Sequence, residues 1–248
     1  GNSPHKFVWY NRTPEEFDQL TLGKRIGEAK VRGRWLFLDL NPGYRLVLGE
    51  CGGKVLFHSS GEAVPGKYHL LIEFTDGTFL TVMTTMWGAM ELFQAGDELE
   101  RQYIKGMRTT PVDREFTLDY FNSLIDELLK GEKRSIKSLL TQDQLIPGLG
   151  NAIAQDIMFN ARLHPRHPLA ELTNTQREEL FHAVVDTVHE VIQKGGRSEE
   201  TDLFGLPGGY KRKMDKDVAG KPCQTCGTMV EQMLYLGGKC YFCPRCQV

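Results

Sequence analysis

No stretch of this 248-residue chain stays apolar over the ~20 residues that a membrane-spanning helix requires, and nothing near Gly1 has the pattern of a secretory leader. An excess of positive charge is also missing. Lys and Arg number 30 against 32 Asp and Glu, for a net charge of −2 and a pI of about 6.4. That balance argues against a uniformly basic surface, so a polyanion would have to be held by a local basic face. There is no internal repeat and no low-complexity tract. The Gly-rich run Gly49-Glu-Cys-Gly-Gly-Lys54 lacks the spacing of a phosphate-binding P-loop. The initiator methionine is absent too, so Gly1 is either a remnant of a preceding tag or follows residues that are missing from the sequence. What remains is an ordinary globular composition, 40% hydrophobic and 25% charged, sufficient for one large domain or two modest ones.

Cysteine is sparse but concentrated. Cys223-Gln-Thr-Cys226 and Cys243-Pro-Arg-Cys246 are two Cys-x-x-Cys knuckles separated by sixteen residues. Each knuckle offers two thiolates from one tight turn, and Zn²⁺ takes four soft ligands in a tetrahedron. Two disulfides are the alternative; the lack of a leader favours metal. Cys240 offers a competing register, Cys240-Tyr-Phe-Cys243. Cys243 and Cys246 are preferred, because Cys240 falls where a return strand should run, as a free thiol. The segment between the knuckles reads as a hairpin, with Met229 to Tyr235 as one strand, Gly237-Gly238 as the turn and Lys239 to Phe242 as the return. One Zn²⁺ would be structural, since four cysteines leave no open position for water.

The rest divides by texture. Thr13-Pro-Glu-Glu16 is a capping sequence for a helix that stops at Gly23. From Gly23 to Phe93 short strands alternate with turns: Arg34 to Leu40, Tyr44 to Leu48, Val55 to His58, His69 to Phe74 and Thr78 to Met83. Such spacing suggests a sandwich or barrel. Beyond Gly96 the period becomes helical. One helix opens at Thr117, a short one runs from Ser135 to Leu140, and a long one is capped by Thr173 and Gln176 and ends at Gly195-Gly196. Between them Pro147-Gly-Leu-Gly150 feeds Asn151 into a helix start, where unpaired backbone N–H groups make an anion site. Read alone, Asn151 is equally an N-cap. Gly205 to Lys221 reads as a flexible basic loop ahead of the cysteine hairpin, or more plainly as a solvated linker. The expected organisation is α+β: a β-rich domain over 1–98 resembling a β-sandwich, a helical domain over 99–200, and a basic loop with a zinc hairpin over 201–248.

Strands, then Gly-Leu-Gly-Asn151, then a four-cysteine hairpin ending Cys-Pro-Arg-Cys246-Gln247, resemble the formamidopyrimidine-DNA glycosylase / endonuclease VIII family from about Gly23 onward. The resemblance implies a helix–two-turn–helix motif and a base-excision glycosylase with AP lyase activity. Such an enzyme flips damaged bases out of double-stranded DNA, carries one structural Zn²⁺, and works as a monomer at the nucleoid of a bacterial cytoplasm, with no membrane partner. It further implies roles by position. Asn151 binds a DNA phosphate, Arg34 replaces a DNA-contacting lysine, and Lys137 lies near the damaged base. Lys239 sits beside Gly238, which occupies the place of an Arg at the hairpin tip. Cys51 stands at the void-filling position, and Trp87, in Thr85-Met86-Trp87-Gly88, is the wedge aromatic of a loop that has lost its Arg. The family's catalytic N-terminal proline and the glutamate after it are not in this sequence, so no catalytic residue is assigned. The alternative is a non-catalytic homologue that binds damaged or distorted DNA. A zinc ribbon for protein partners is a third reading, against which the Gly-Leu-Gly-Asn turn argues.

Overall fold

In the computed structural model, residues 1, 6–49, 53–84, 87–131 and 133–248 are described. They form two compact units: Gly1–Met107 with Thr201–Pro207, and Arg108–Glu200 with Gly208–Val248. This differs from a division at 98 and 200, for physical reasons. Ile104 is buried with Trp35, Val47 and Ala89, and Arg45 pairs with Glu98, which holds the residues after 98 on the strands. Phe57 N donates to Leu203 O at 2.8 Å, which attaches Thr201–Pro207 to the same unit.

The first unit contains β1 (Val8–Tyr10), α1 (Pro14–Thr21), β2 (Arg25–Arg32), β3 (Trp35–Asn41), β4 (Tyr44–Gly49), β5 (Lys54–His58), β6 (Leu70–Glu73), β7 (Phe79–Met83), β8 (Gly88–Gln94) and α2 (Gln102–Lys105). Five strands make one sheet in the order β1-β8-β4-β3-β2, and three make a second, β5-β7-β6. Leu38, Leu40, Leu46, Leu48, Met90 and Leu92 of the first sheet pack on Leu80 and Val82 of the second. The inward side chains of both sheets thus share one core, the arrangement of a sandwich. Helix α1 begins as its sequence dictates. Thr13 Oγ1 accepts from Glu16 N, the Glu16 side chain returns the bond to Thr13 N, and Pro14 opens the helix.

The second unit contains α3 (Leu118–Leu129), α4 (Ile136–Thr141), α5 (Asn151–Asn160), α6 (Asn174–Gln193), β9 (Glu231–Tyr235) and β10 (Gly238–Phe242). Phe121, Leu124, Ile125, Ile136, Leu139, Ile157 and Leu180 belong to the helical core. Helix α5 lies between two cores. Ala154, Ile157 and Met158 face the helices, whereas Phe159 packs with Met214, Cys223, Val230, Tyr241 and Cys243. The cysteine hairpin is therefore built onto the helical unit.

The hairpin turn is displaced from the expected one. Leu236 and Gly237 are the central residues, at φ 48° and 73°, and Gly238 already pairs with Tyr235. A type I′ turn, which matches strand twist, has φ > 0 at both central positions, and Leu236 adopts it beside a glycine that carries no penalty. A second correction concerns 205–221, expected as a flexible loop or a solvated linker. Tyr210 and Met214 are among the most buried residues of the chain.

Candidate nucleic-acid interface

The turn before α5 leaves the helix open. Its N-cap is Gly150, not Asn151, and no side chain caps it. A helix of ten residues with an uncapped start presents main-chain N–H groups and the positive end of its dipole. Asn151, at the first helical position and exposed, donates from Nδ2 to Lys239 O at 3.2 Å. A Cβ built on Gly238 would lie 3.4 Å from Asn151 Oδ1. The hairpin tip therefore lies against the helix start, and the exposed Lys239 joins the face that Asn151 opens.

Gln155, one turn further along α5 and buried, fixes this join. Its Nε2 donates to Asn151 O at 3.2 Å, and its Oε1 accepts from Tyr241 N at 2.7 Å. Asp156 fastens the segment after Gly208. Its carboxylate accepts from Tyr210 Oη at 2.8 Å, Lys213 N at 2.9 Å and Met214 N at 2.8 Å. Burial pushes its pKa above the ordinary carboxylate value, against the pull of these donors. Sequence reasoning missed both residues. The available signal was two polar side chains among the apolar residues of α5, where burial is tolerated only with partners.

Lys137 is 1% exposed. Its ammonium donates to Tyr235 O, and the same Tyr235 donates from Oη to Ser135 Oγ at 3.0 Å. Arg166 stacks 5.0 Å over the Tyr235 ring. Lys137 thus ties α4 to the hairpin and is withdrawn from the surface that Asn151 and Lys239 share. The structure brings Lys137, Asn151 and Lys239 onto one hairpin–helix assembly.

The other expected residues lie in the first unit. Arg34 is exposed in the two-residue turn between β2 and β3, beside Gly33 at φ 58°. Trp87 is 61% exposed immediately before β8. Cys51, Thr85 and Met86 lie outside the described residues.

The four knuckle cysteines converge. Cys223, Cys226, Cys243 and Cys246 place their sulfurs within 4.8 Å of one another. Cys223 Sγ lies 3.9 Å from Cys246 Sγ, and Cys226 Sγ 3.4 Å from Cys243 Sγ. A disulfide needs ~2.05 Å, whereas a tetrahedron of sulfurs at ~2.3 Å from a central ion has edges of ~3.8 Å. The cysteines are free thiols, and the set fits a tetrahedral soft cation. Cys240 stands apart in β10, opposite Met233 and fully buried, as its strand position required. Without a cation the four thiols cannot all ionise. Burial and the neighbouring sulfurs push Cys246 up to about 12 and Cys243 upward, while the hydroxyl and N–H of Thr228 draw Cys226 down to about 6. A bound dication would reverse that resistance.

Residues 108–202 match the family model of the formamidopyrimidine-DNA glycosylase H2TH domain. The chain is 30% identical over 237 residues to the formamidopyrimidine-DNA glycosylase of Bacillus cereus, covering 94% of this chain and 84% of that one. It is also 30% identical over 248 residues to the Bacillus licheniformis protein of that name, covering 98% and 88%. Among solved structures, MutM (Fpg) of Thermus thermophilus superimposes with a TM-score of 0.79 at 26% identity, covering 96% and 86%. Lactococcus lactis Fpg, in complex with DNA containing an abasic site, does so with a TM-score of 0.81 at 23% identity, covering 94% and 86%. With identity at this level sustained over nearly its whole length, the chain belongs to the formamidopyrimidine-DNA glycosylase family.

Proposed function

We propose that the protein is a base-excision DNA glycosylase with AP lyase activity, acting on damaged bases that it extrudes from double-stranded DNA. One observation carries the reading: the uncapped start of α5, with Asn151 held against the hairpin tip and Lys239 beside it. An open helix start and a neighbouring ammonium make a phosphate site, and phosphate contacts position an enzyme on the duplex without reading sequence. Arg34 adds a second phosphate contact from the strand unit. Trp87 enters the stack where the base leaves. Lys137 keeps the hairpin in register next to the lesion. Extrusion costs a few kcal/mol and is easiest at a damaged pair. The four cysteines hold one structural Zn²⁺, which fixes the hairpin and leaves no open position for chemistry. The family's chemistry uses a terminal amine on the sugar C1′, with loss of the base, formation of a Schiff base and elimination. A monomer in the bacterial cytoplasm, at the nucleoid, suits this function and the bacterial source of the named relatives.

Borohydride trapping tests the reading. The full-length protein, incubated with a duplex carrying one oxidised base, should give a covalent protein–DNA adduct and, without borohydride, a cut strand. Gly238, where a tip Arg would stand, favours the second reading, a homologue that binds damaged DNA without cutting it. Tight lesion binding with neither adduct nor cleavage on any lesion would establish that one instead.

A further inference from the structure

Trp87 does not stand alone. Strand β1 runs parallel to β8 with Val8 opposite Gly88, which brings Phe7 alongside Trp87. The two rings lie 5.1 Å apart, tilted by 37°. Gly88 N donates to Phe7 O at 3.1 Å, and Thr84 Oγ1 donates to Trp87 O at 2.6 Å, so the backbone around the indole is held from both sides. A Cβ at Gly88 would meet Thr84 Cγ2 at 2.8 Å, so a side chain here would force Thr84 to shift. Lys6 Nζ lies 4.8 Å from the centre of the Phe7 ring.

Val8 is the β1 residue that packs against the sandwich core; Phe7, Trp9 and Trp87 remain 41%, 63% and 61% exposed. Aromatic faces stack on any nucleobase, with little sequence preference, and a nearby ammonium suits the phosphate that accompanies the base. A lone exposed indole would have to be ordered on binding, whereas one already paired with a second ring gives up less freedom.

We propose that Phe7 and Trp87 together form a two-ring stacking platform for the unpaired base left in the duplex, with Phe7 as the positioning residue of the pair and Lys6 supplying positive charge beside it. The proposal rests on the reading of Trp87 as the wedge.

The test uses the full-length protein and a duplex with 2-aminopurine opposite an abasic-site analogue. Trp87→Ala should remove most of the fluorescence response at saturating protein. Phe7→Leu, which keeps an apolar side chain, should reduce the response and weaken affinity by about 3- to 10-fold, the scale of one aromatic pair. Phe7→Tyr should behave like the parent. Asn151→Ala is the control that weakens binding yet keeps the full response at saturation, and thermal unfolding confirms that each variant is folded. If Trp87→Ala leaves the response unchanged, the wedge reading itself falls. If Trp87→Ala removes the response but Phe7→Leu matches the parent, or Phe7→Tyr is as poor as Phe7→Leu, the two-ring platform is overturned while the wedge stands.

Discussion

Asn151 reaches the carbonyl of Lys239 through a single hydrogen bond of 3.2 Å, which fastens an open helix start to a hairpin tip eighty-eight residues away in sequence. The bond lets one surface present helix N–H groups and an ammonium together. Asn151→Ala should therefore weaken binding to all duplex sequences alike, by about 10-fold, since the proposed phosphate contact would be lost and the tip loosened. Lys239→Ala should also lower the slope of log affinity against log salt by about 1. Fluorescence anisotropy across a salt series measures both. Unchanged affinity in the Asn151 variant would reduce that residue to a structural tie.

The cysteine cluster makes a separate prediction. Freshly purified protein should hold one zinc per chain by elemental analysis. Cys240→Ser should keep that stoichiometry, because Cys240 is buried within β10 and is not among the converging sulfurs. Cys226→Ser or Cys246→Ser should lose it. Chelation should unfold the hairpin, whose core beyond the cysteines is the small cluster of Phe159, Met214, Val230 and Tyr241, and DNA binding should be lost with it. Loss of zinc from the Cys240 variant would show that the ligand register is shifted.

Much of this was legible in the sequence where local chemistry decides. Capping boxes at Thr13 and Thr173 formed as their residues dictate, and the knuckle spacing brought four sulfurs together. Strands β3, β4, β5 and β7 followed from alternation and turns. Strand β2 was invisible because all eight of its residues are exposed, so it carries no inward-outward pattern. Strand β1 is three residues long, and only pairing with β8 makes it a strand. The inward turn of Lys137 could not be read either, since its acceptor is a main-chain carbonyl ninety-eight residues away. Asp156 and Gln155 illustrate the same limit: the sequence marks them as polar in an apolar helix, but their partners are fixed only by tertiary packing.

Asp156 links stability to pH. Burial raises its folded pKa above the ordinary 3.8, so the folded chain keeps a proton that the unfolded chain releases. Its contribution is therefore largest below the ordinary carboxylate value and is lost as pH rises through the window from 3.8 up to the folded value. Asp156→Asn should flatten that part of the stability profile. It should also cost about 1–3 kcal/mol at neutral pH, because an amide cannot accept from Tyr210 Oη, Lys213 N and Met214 N together. Denaturant unfolding from pH 3 to 8 checks both outcomes; parallel profiles for the parent and the variant would contradict the linkage.

The last prediction concerns the base opposite the lesion. An Arg in the wedge loop could donate a planar fork of hydrogen bonds to an orphaned base, and Thr85 and Met86, read from the sequence, offer no such fork. Trp87 remains exposed to stack, and stacking is worth ~1–3 kcal/mol per base with little dependence on which base it is. Affinity for an abasic-site analogue should thus vary by less than about 3-fold among the four opposite bases, whereas a bidentate contact would separate them by ~1–3 kcal/mol, about 5- to 150-fold. Competition binding with four otherwise identical duplexes measures the spread. Thr85→Arg, which reintroduces a guanidinium, should widen it in favour of one opposite base. A strong preference already present in the parent would mean that a hydrogen-bonding group reads that base in addition to the Phe7–Trp87 platform.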